Sequence, residues 1–417
     1  MSIPLPRRAH RTLVRLLAEI RRASAYDEVV VGYHNMNHIR SLGQPLAFLL
    51  GERSGRVRAK FRTPFETIEV VPRIWVRESQ VLTAVRSRLP DAPRCLADFG
   101  VWSLDTLVKG RVLSEAVPEG TIGADRLAAL ANFFATLADV PGDELPDRPD
   151  DWPKDGDSLG FLRWLACFTA DRVYQPNRAR FGDLFDAIGV PRNPMERFLS
   201  TVPLLTERPF ALLHTDVHRA NVVLSPRPEG ERLVVIDWET AMYGDPLHEL
   251  ATHLVRMDYD KTEQDRMVEL WAAAMSRAGH AEMTAGLEHD LPLYIGFEQA
   301  QSLFPDVMRA ALALPDLPDE RDFAAAVGLI RRAVARASQP LGFRTADWQV
   351  DEARAVEALR RWHASDVRVA LLGERGKRVR GWDDSRRRKP RGGNPGAGLL
   401  NGMIGAGLLT GMSAMSR

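Results

Sequence analysis

The chain has 417 residues, 45% of them hydrophobic and 27% charged, with a formal net charge of +1. That size and balance fit a soluble globular protein of two or three lobes or domains, and the near-zero charge gives no reason to expect a nucleic-acid partner. Cys95 and Cys167 stand in unrelated contexts, so no disulfide framework is expected and a reducing cytoplasmic setting is. The basic stretch 4–8 is not followed by an uninterrupted apolar core, and no run of about twenty apolar residues occurs, so neither a signal peptide nor a membrane span is expected.

Leu13, Leu16, Leu17 and Ile20 recur at helical intervals among arginines and predict an amphipathic helix over 5–24. From Glu28 the composition turns to strand. Residues 29–39 predict two strands with a tight connection, 46–50 another strand, and 56–61 a further one after a turn at 51–55. Alternation puts Arg58, Lys60 and Arg62 on one face of that last strand. A helix is predicted over 72–89, a strand over 101–108 and a helix over 124–140. The Pro- and Asp-rich segment 141–158 is a connection that helices do not cross. Its acidic residues read as a solvated loop, with a cationic acceptor as the sharper alternative. Helices are predicted over 159–174, 179–188 and 194–205. Beyond 248 the pattern is helical over 248–257, 262–278, 285–300, 305–314, 321–337 and 351–364. Residues 375–391 are densely basic. Residues 396–403 are echoed imperfectly at 405–412, and their glycine density predicts a flexible tail.

The richest stretch lies between these helical regions. An apolar run over 210–213 ends in His214-Thr215-Asp216, His218 follows, and Asn221 comes five residues after Asp216. A strand, a turn at 226–230 and a second apolar strand then deliver Asp237 in Ile236-Asp237-Trp238-Glu239, and Gly244-Asp245-Pro246 precedes Leu250-Ala251. One Asp, one Asn and a second Asp presented by a loop and a strand end are what phosphoryl transfer from a nucleotide needs. One carboxylate accepts a hydroxyl proton and two oxygen donors hold magnesium.

These ordered motifs resemble the aminoglycoside phosphotransferase family, the small-molecule branch of kinase-like folds. Its pattern is roughly H-G-D-x-H-x-x-N, then I-D-W-E, then G-D-P-x-x-D-L-A. The chain departs at Thr215, where glycine is usual, and at Glu249, where aspartate is usual. The resemblance implies an α+β, bilobal protein-kinase-like fold. A small antiparallel sheet lobe would occupy 1–117, a mainly helical catalytic and acceptor lobe 118–370, and a tail 371–417. It implies ATP and Mg2+ as cofactors, Asp216 as the catalytic carboxylate, and Asn221 and Asp237 as metal ligands. Lys60 would hold the nucleotide phosphates. Glu78, in Arg77-Glu78-Ser79-Gln80-Val81-Leu82, resembles the family's R-E-x-x-V-L and would brace Lys60. Backbone groups at Thr106 and Val108 would meet the adenine edge. A glycine-rich phosphate loop is missing; only Gly32 stands there, with the amides of 35–37 as substitutes. His214 and His218 read as structural, and Glu298 and Arg309 as weak acceptor-side candidates.

The acceptor implied first is a small-molecule hydroxyl: an antibiotic, a sugar or an amino alcohol. A second possibility is Ser/Thr of a precursor peptide in lanthipeptide-type biosynthesis alongside a lyase, toward which the basic, glycine-rich tail leans as a partner-docking segment. A third is a kinase-like binding module without turnover, against which the intact Asp216, Asn221, Asp237 and Lys60 speak. A hinge that reads the base through its backbone does not separate ATP from GTP.

Overall fold

The computed structural model describes residues 7–23, 28–31, 35–52, 58–64, 70–344 and 347–366. The connection at Gly32 and the tail 371–417 lie outside them. In chain order the elements are α1 (Arg7–Ala23), β1 (Glu28–Val31), β2 (Asn35–Ser41), α2 (Gln44–Leu49), β3 (Arg58–Pro64), α3 (Glu78–Val85), β4 (Cys95–Asp98), β5 (Ser103–Thr106), β6 (Arg111–Val112), α4 (Leu113–Ala116), α5 (Ala124–Ala138) and α6 (Ser158–Phe168). After a π-helical turn at Thr169–Tyr174 come α7 (Gln175–Ala187), α8 (Pro194–Thr201), β7 (Ala211–Leu213), β8 (Val222–Arg227), β9 (Gly230–Val235), β10 (Met242–Gly244), α9 (Pro246–Met257), α10 (Lys261–Arg277), α11 (Leu287–Leu312) and α12 (Glu320–Ser338). The chain divides into two compact units, one of Met1–Phe161 with Leu205–Leu291, the other of Leu162–Leu204 with Pro292–Arg417. The division expected after residue 117 falls inside the first unit.

In the first unit, β1-β2-β3-β5-β4 form an antiparallel sheet. Period-2 alternation gives it two unlike faces. Ala59, Phe61 and Leu104 are fully buried on one, packed with Trp102 under Val14 and Ala18 of α1 and Leu46 and Ala47 of α2. Trp102 also donates its indole N–H to Glu19 of α1 at 3.1 Å. The other face is polar: Arg62 is opposite Asn37 and Ser103, and Lys60 is opposite Ile39 and Asp105.

Residues 46–50, expected as a strand, belong instead to α2. Gly43 turns the chain at φ 77, Pro45 suits the first helical turn, and the Ala47 N–H closes on the Gly43 carbonyl at 3.0 Å. An unbroken apolar run has no period of its own, so its partner α1 decides. The helix expected over 72–89 is confined to α3, because 72–77 stays largely outside helix and Arg77 caps α3 with extended dihedrals. Strand β4, unforeseen, pairs with β5 through a shifted register.

After β5 the chain runs close to β8. At Gly110, φ is 148 and a Cβ would run into the Leu224 carbonyl, so only glycine fits. The 3-stranded sheet β6-β8-β9 and the β7–β10 pair then carry the motif-bearing loops. Helix α9 starts where Asp245 caps the Leu247 N–H at 2.9 Å with Pro246 in the first turn. The fully buried Arg208 guanidinium lies between Asp245 and Asp290 and also donates to the Ala285 carbonyl at 2.9 Å.

The second unit is helical. Tyr174 meets Phe304 with ring centroids 4.9 Å apart, and Phe181 stacks on Trp362 of the helical segment 352–366 at 5.3 Å. The two helices expected over 285–300 and 305–314 are a single α11, with Pro292 and Pro305 inside it. An interior proline costs about 3 kcal/mol. Leu303, Phe304, Val307 and Met308 are all essentially fully buried, and each contributes about 1.5–3 kcal/mol, which outweighs that cost. Glu298 is buried and accepts from the Gln301 side chain at 2.9 Å, whereas Arg309 is on an exposed surface.

Candidate active site

Strand β7 ends at Leu213, His214 follows, and the residue after it reverses the chain. Thr215 has φ 62, a left-handed conformation costly for a β-branched residue. Its surroundings fix it there. The Thr215 N–H donates to the Glu249 carboxylate at 2.8 Å, its hydroxyl donates to the Thr240 carbonyl at 2.8 Å, and the His214 N–H donates to the same Glu249 oxygen. The two departures from the family pattern are thus one device: the threonine is tied down by the glutamate. Burial pushes the Glu249 carboxyl up to about 7, against the two N–H groups that favour its ionised form.

His214 is buried against Trp238, with ring centroids 4.7 Å apart, and its Nδ1 accepts from the Asp216 N–H at 3.3 Å. Burial lowers its pKa to about 4, so the ring is neutral and structural. His253 is buried likewise, with Nδ1 on the Val217 carbonyl at 2.9 Å and Nε2 on the Tyr259 hydroxyl at 3.0 Å.

Asp216 carries the density of contacts expected of a working carboxylate. Asn221 Nδ2 donates to its Oδ2 at 2.7 Å and to its carbonyl at 3.0 Å, Arg256 of α9 pairs with Oδ1, and His218 Nε2 stands 3.5 Å away. Burial alone would raise its pKa; Arg256 and His218 outweigh that and hold the carboxyl well below its usual range. Asp237 arrives through β9. The Ile236 N–H donates to the Asn221 carbonyl at 2.9 Å, Val222 pairs with Val235, and Asp237 follows at φ 71. That Ile236–Asn221 hydrogen bond joins the end of β9 to the loop that carries Asp216.

Asn221 spends its amide nitrogen on Asp216, which leaves its side-chain oxygen and the Asp237 carboxylate as the two oxygen donors of the pattern. Among the described residues no group of three or more His, Cys, Asp or Glu side chains could hold a metal by itself. Two hard oxygen donors instead fit magnesium, which retains waters and takes its remaining ligands from a phosphate chain.

The sheet side corrects one expectation. Glu78 does not pair with Lys60. One carboxylate oxygen binds the Arg62 guanidinium and the other accepts the Trp238 N–H at 2.9 Å. Arg62 also reaches Asp237 at 2.9 Å and Glu239 at 2.6 Å, and Arg73 meets Glu239 at 3.1 Å. Lys60 lies one pleat nearer β5's end, opposite Asp105. Its pKa is lowered by burial and then by Arg62, against the pull of Asp237 and Asp105. At the expected hinge the backbone is already engaged. The Thr106 N–H already donates to the Arg94 carbonyl at 2.9 Å, and its hydroxyl accepts the Arg94 N–H at 2.9 Å. Val108 lies in the segment between β5 and β6.

Of the arginines in ion-pair contact with these carboxylates, the sequence names Arg62 only as sharing the Lys60 face, with the register between them open, and does not name Arg256. Arg62 had a signal, since it shares a face with Lys60. Arg256 had a fainter one: it follows Glu249 by two helical turns on α9, so both face the loop.

A family model described as "Phosphotransferase enzyme family" matches residues 39–285. Among solved structures, a putative aminoglycoside phosphotransferase from Ralstonia eutropha is 16% identical over 83% of this chain and 97% of that one, with a TM-score of 0.47. The macrolide 2'-phosphotransferase MphH from Brachybacterium faecium is 15% identical over 76% and 97%, with a TM-score of 0.41. The choline kinase LicA from Streptococcus pneumoniae is 13% identical over 78% and 98%, with a TM-score of 0.45. No curated protein matches the chain.

Proposed function

This chain belongs to the phosphotransferase enzyme family, and on that premise we propose that it transfers the γ-phosphoryl group of ATP to a hydroxyl of a small-molecule acceptor. Its fold is the α+β kinase-like fold. The acceptor hydroxyl lies against Asp216. Arg256 and His218 keep that carboxylate ionised at neutral pH, so it is ready to take a proton. The acceptor oxygen forms its bond to phosphorus as the bond to the leaving ADP oxygen breaks, and the hydroxyl proton passes to Asp216 late in the transfer. Arg256 lowers the basicity of Asp216, so the carboxylate's main work is orientation, and the proton follows once the phosphoryl bond is formed. Asn221 and Asp237 would hold magnesium, which supplies charge neutralisation along the phosphate chain when bound. Among the described residues no helix is long and apolar enough to cross a membrane.

The observation that supports this most is the Asp216–Asn221 contact at 2.7 Å on the loop that β9 brings next to Asp237. The Asp216–Asn221 contact and the hairpin leading to Asp237 support the assignment of these three groups to the reaction. It also speaks against a scaffold that has lost turnover. The test is product mass on a panel of sugars, amino alcohols, aminoglycosides and Ser/Thr peptides, with Asp216→Asn beside the wild type. On the accepted substrate Asp216→Asn should lose about 10²–10⁴-fold in turnover while still binding nucleotide by calorimetry. Full turnover in that variant would remove Asp216 from the mechanism, and phosphorylation of peptides alone would replace the small-molecule acceptor.

A further inference from the structure

We propose that α1 is a membrane-surface anchor. Its outer face lays the protein onto an anionic bilayer, with Leu13, Leu16 and Ile20 seated at the acyl boundary and Arg8, Arg11 and Arg15 among the headgroups. This attachment goes beyond the phosphotransferase assignment and does not depend on it.

Three rows of side chains run along α1. Val14 and Ala18, with the partly buried Leu17, pack against the sheet. Leu13, Leu16 and Ile20 recur at i, i+3 and i+7 and stand outside that core, 36%, 56% and 59% exposed. Arg8, Arg11 and Arg15 recur at i, i+3 and i+7 on the third row. All three are exposed, and among the described residues no carboxylate pairs with them. At 3.6 residues per turn the aliphatic and arginine rows lie about 140° apart, on either side of the line pointing straight away from the sheet. Six arginines against Glu19 alone give α1 a formal charge of +5, in a chain whose total is +1. Arg21 and Arg22 are spent within the same unit: Arg21 donates to the Ser41 carbonyl at 2.8 Å, and Arg22 lies over the Trp102 ring at 5.1 Å. Arg8, Arg11 and Arg15 remain for an outside partner. Next to them α2 adds Phe48, 71% exposed, at the end that the His10 ring ties to α1 through the Leu49 carbonyl at 2.9 Å.

Chemistry selects the occupant. An aliphatic row beside a cationic one suits a helix that lies in a bilayer interface, where leucine and isoleucine leave water and arginine meets lipid phosphate. A nucleic acid would engage the arginines but not the branched aliphatics, because single strands stack their bases on aromatic rings. A second copy laid antiparallel on this face would set arginine row against arginine row, and like charges facing each other oppose docking. A partner protein takes about 20–30 residues a side, far more than one helix face with Phe48 beside it. A bilayer requires no matching shape: it is broad, anionic at its surface and apolar beneath. With six arginines in its 17 residues α1 lies on the membrane and does not span it.

Flotation of the full chain tests this, with vesicles of one part phosphatidylglycerol to three parts phosphatidylcholine beside vesicles of phosphatidylcholine alone. The anionic vesicles should carry the wild type up the gradient at low salt, and the neutral ones should not. Leu16→Asn with Ile20→Asn keeps the charge and touches only exposed positions; its affinity for the anionic vesicles should fall about 10- to 100-fold. Arg11→Gln with Arg15→Gln should lose about fivefold per arginine and part of the salt dependence. Leu16→Trp, which adds an interfacial ring, should bind more tightly than the wild type. Thermal unfolding that matches the wild type separates lost docking from lost folding. The proposal is overturned if the wild type does not float with anionic vesicles, or floats equally with neutral ones. It is also overturned if both double variants float like the wild type, which would move the contact to the basic segment 375–391. A concentration-dependent dimer that Leu16→Asn with Ile20→Asn abolishes would overturn it too, by making the face a contact between copies.

Discussion

Glu249→Gln isolates the post that holds the loop of His214 and Thr215. Glu249 is 3% exposed, and one of its oxygens takes the N–H groups of both His214 and Thr215. An amide oxygen can keep both bonds, so the substitution mainly removes a titration. Burial raises the Glu249 carboxyl from 4.5 to about 7. An acid with a raised folded-state pKa binds its proton more tightly in the folded chain. Its contribution to stability is fully present below the unfolded value and is lost as pH rises through the folded one. At about 1.4 kcal/mol per unit, that is about 3 kcal/mol surrendered by the wild type between these limits. The glutamine does not titrate. Urea unfolding of both proteins at steps from pH 4.5 to 8 should therefore show the wild type falling relative to Glu249→Gln by about 3 kcal/mol, with other groups cancelling in the difference. A difference that stays flat across that range would refute the claim that burial dominates at Glu249. The companion Glu249→Ala strands two buried N–H groups and should cost about 2–6 kcal/mol at any pH.

Two further variants probe ion pairs, one half-buried and one fully buried. Arg256→Met removes the cation that keeps Asp216 ionised, so the acid limb of the pH–rate profile should move to higher pH; an unmoved limb would show that Arg256 does not tune the carboxylate. Arg208→Met leaves Asp245 and Asp290 facing each other without their cation, and denaturant unfolding should show a loss of about 3–5 kcal/mol, partly recovered by adding Asp290→Asn.

The loop geometry was legible in the sequence because its determinants are local. Asp216 and Asn221 lie five residues apart on one loop, and a two-stranded hairpin fixes where Asp237 emerges, so spacing alone implies convergence. The sheet side was less legible. Alternation makes Lys60 and Arg62 equivalent, and only the approach of α3, which places Glu78 at the Arg62 pleat, distinguishes them. Arg256 pairs with a residue 40 positions away, a separation that no local pattern encodes. The same physics explains the misread elements. Residues 46–50 are apolar throughout and take helical form because α1 offers them a partner. Pro305 failed to end α11 because four buried neighbours outweigh one missing hydrogen bond.

The Arg62 cluster also has a history within each act of synthesis. The guanidinium and the Asp237 carboxylate it meets are 175 residues apart in the chain. At about 5–20 residues per second on a ribosome, the strand bearing Lys60 and Arg62 waits about 9–35 s for its anions. Until then Lys60 and Arg62 have Asp105 and Glu78 as the acidic partners already made among the described residues.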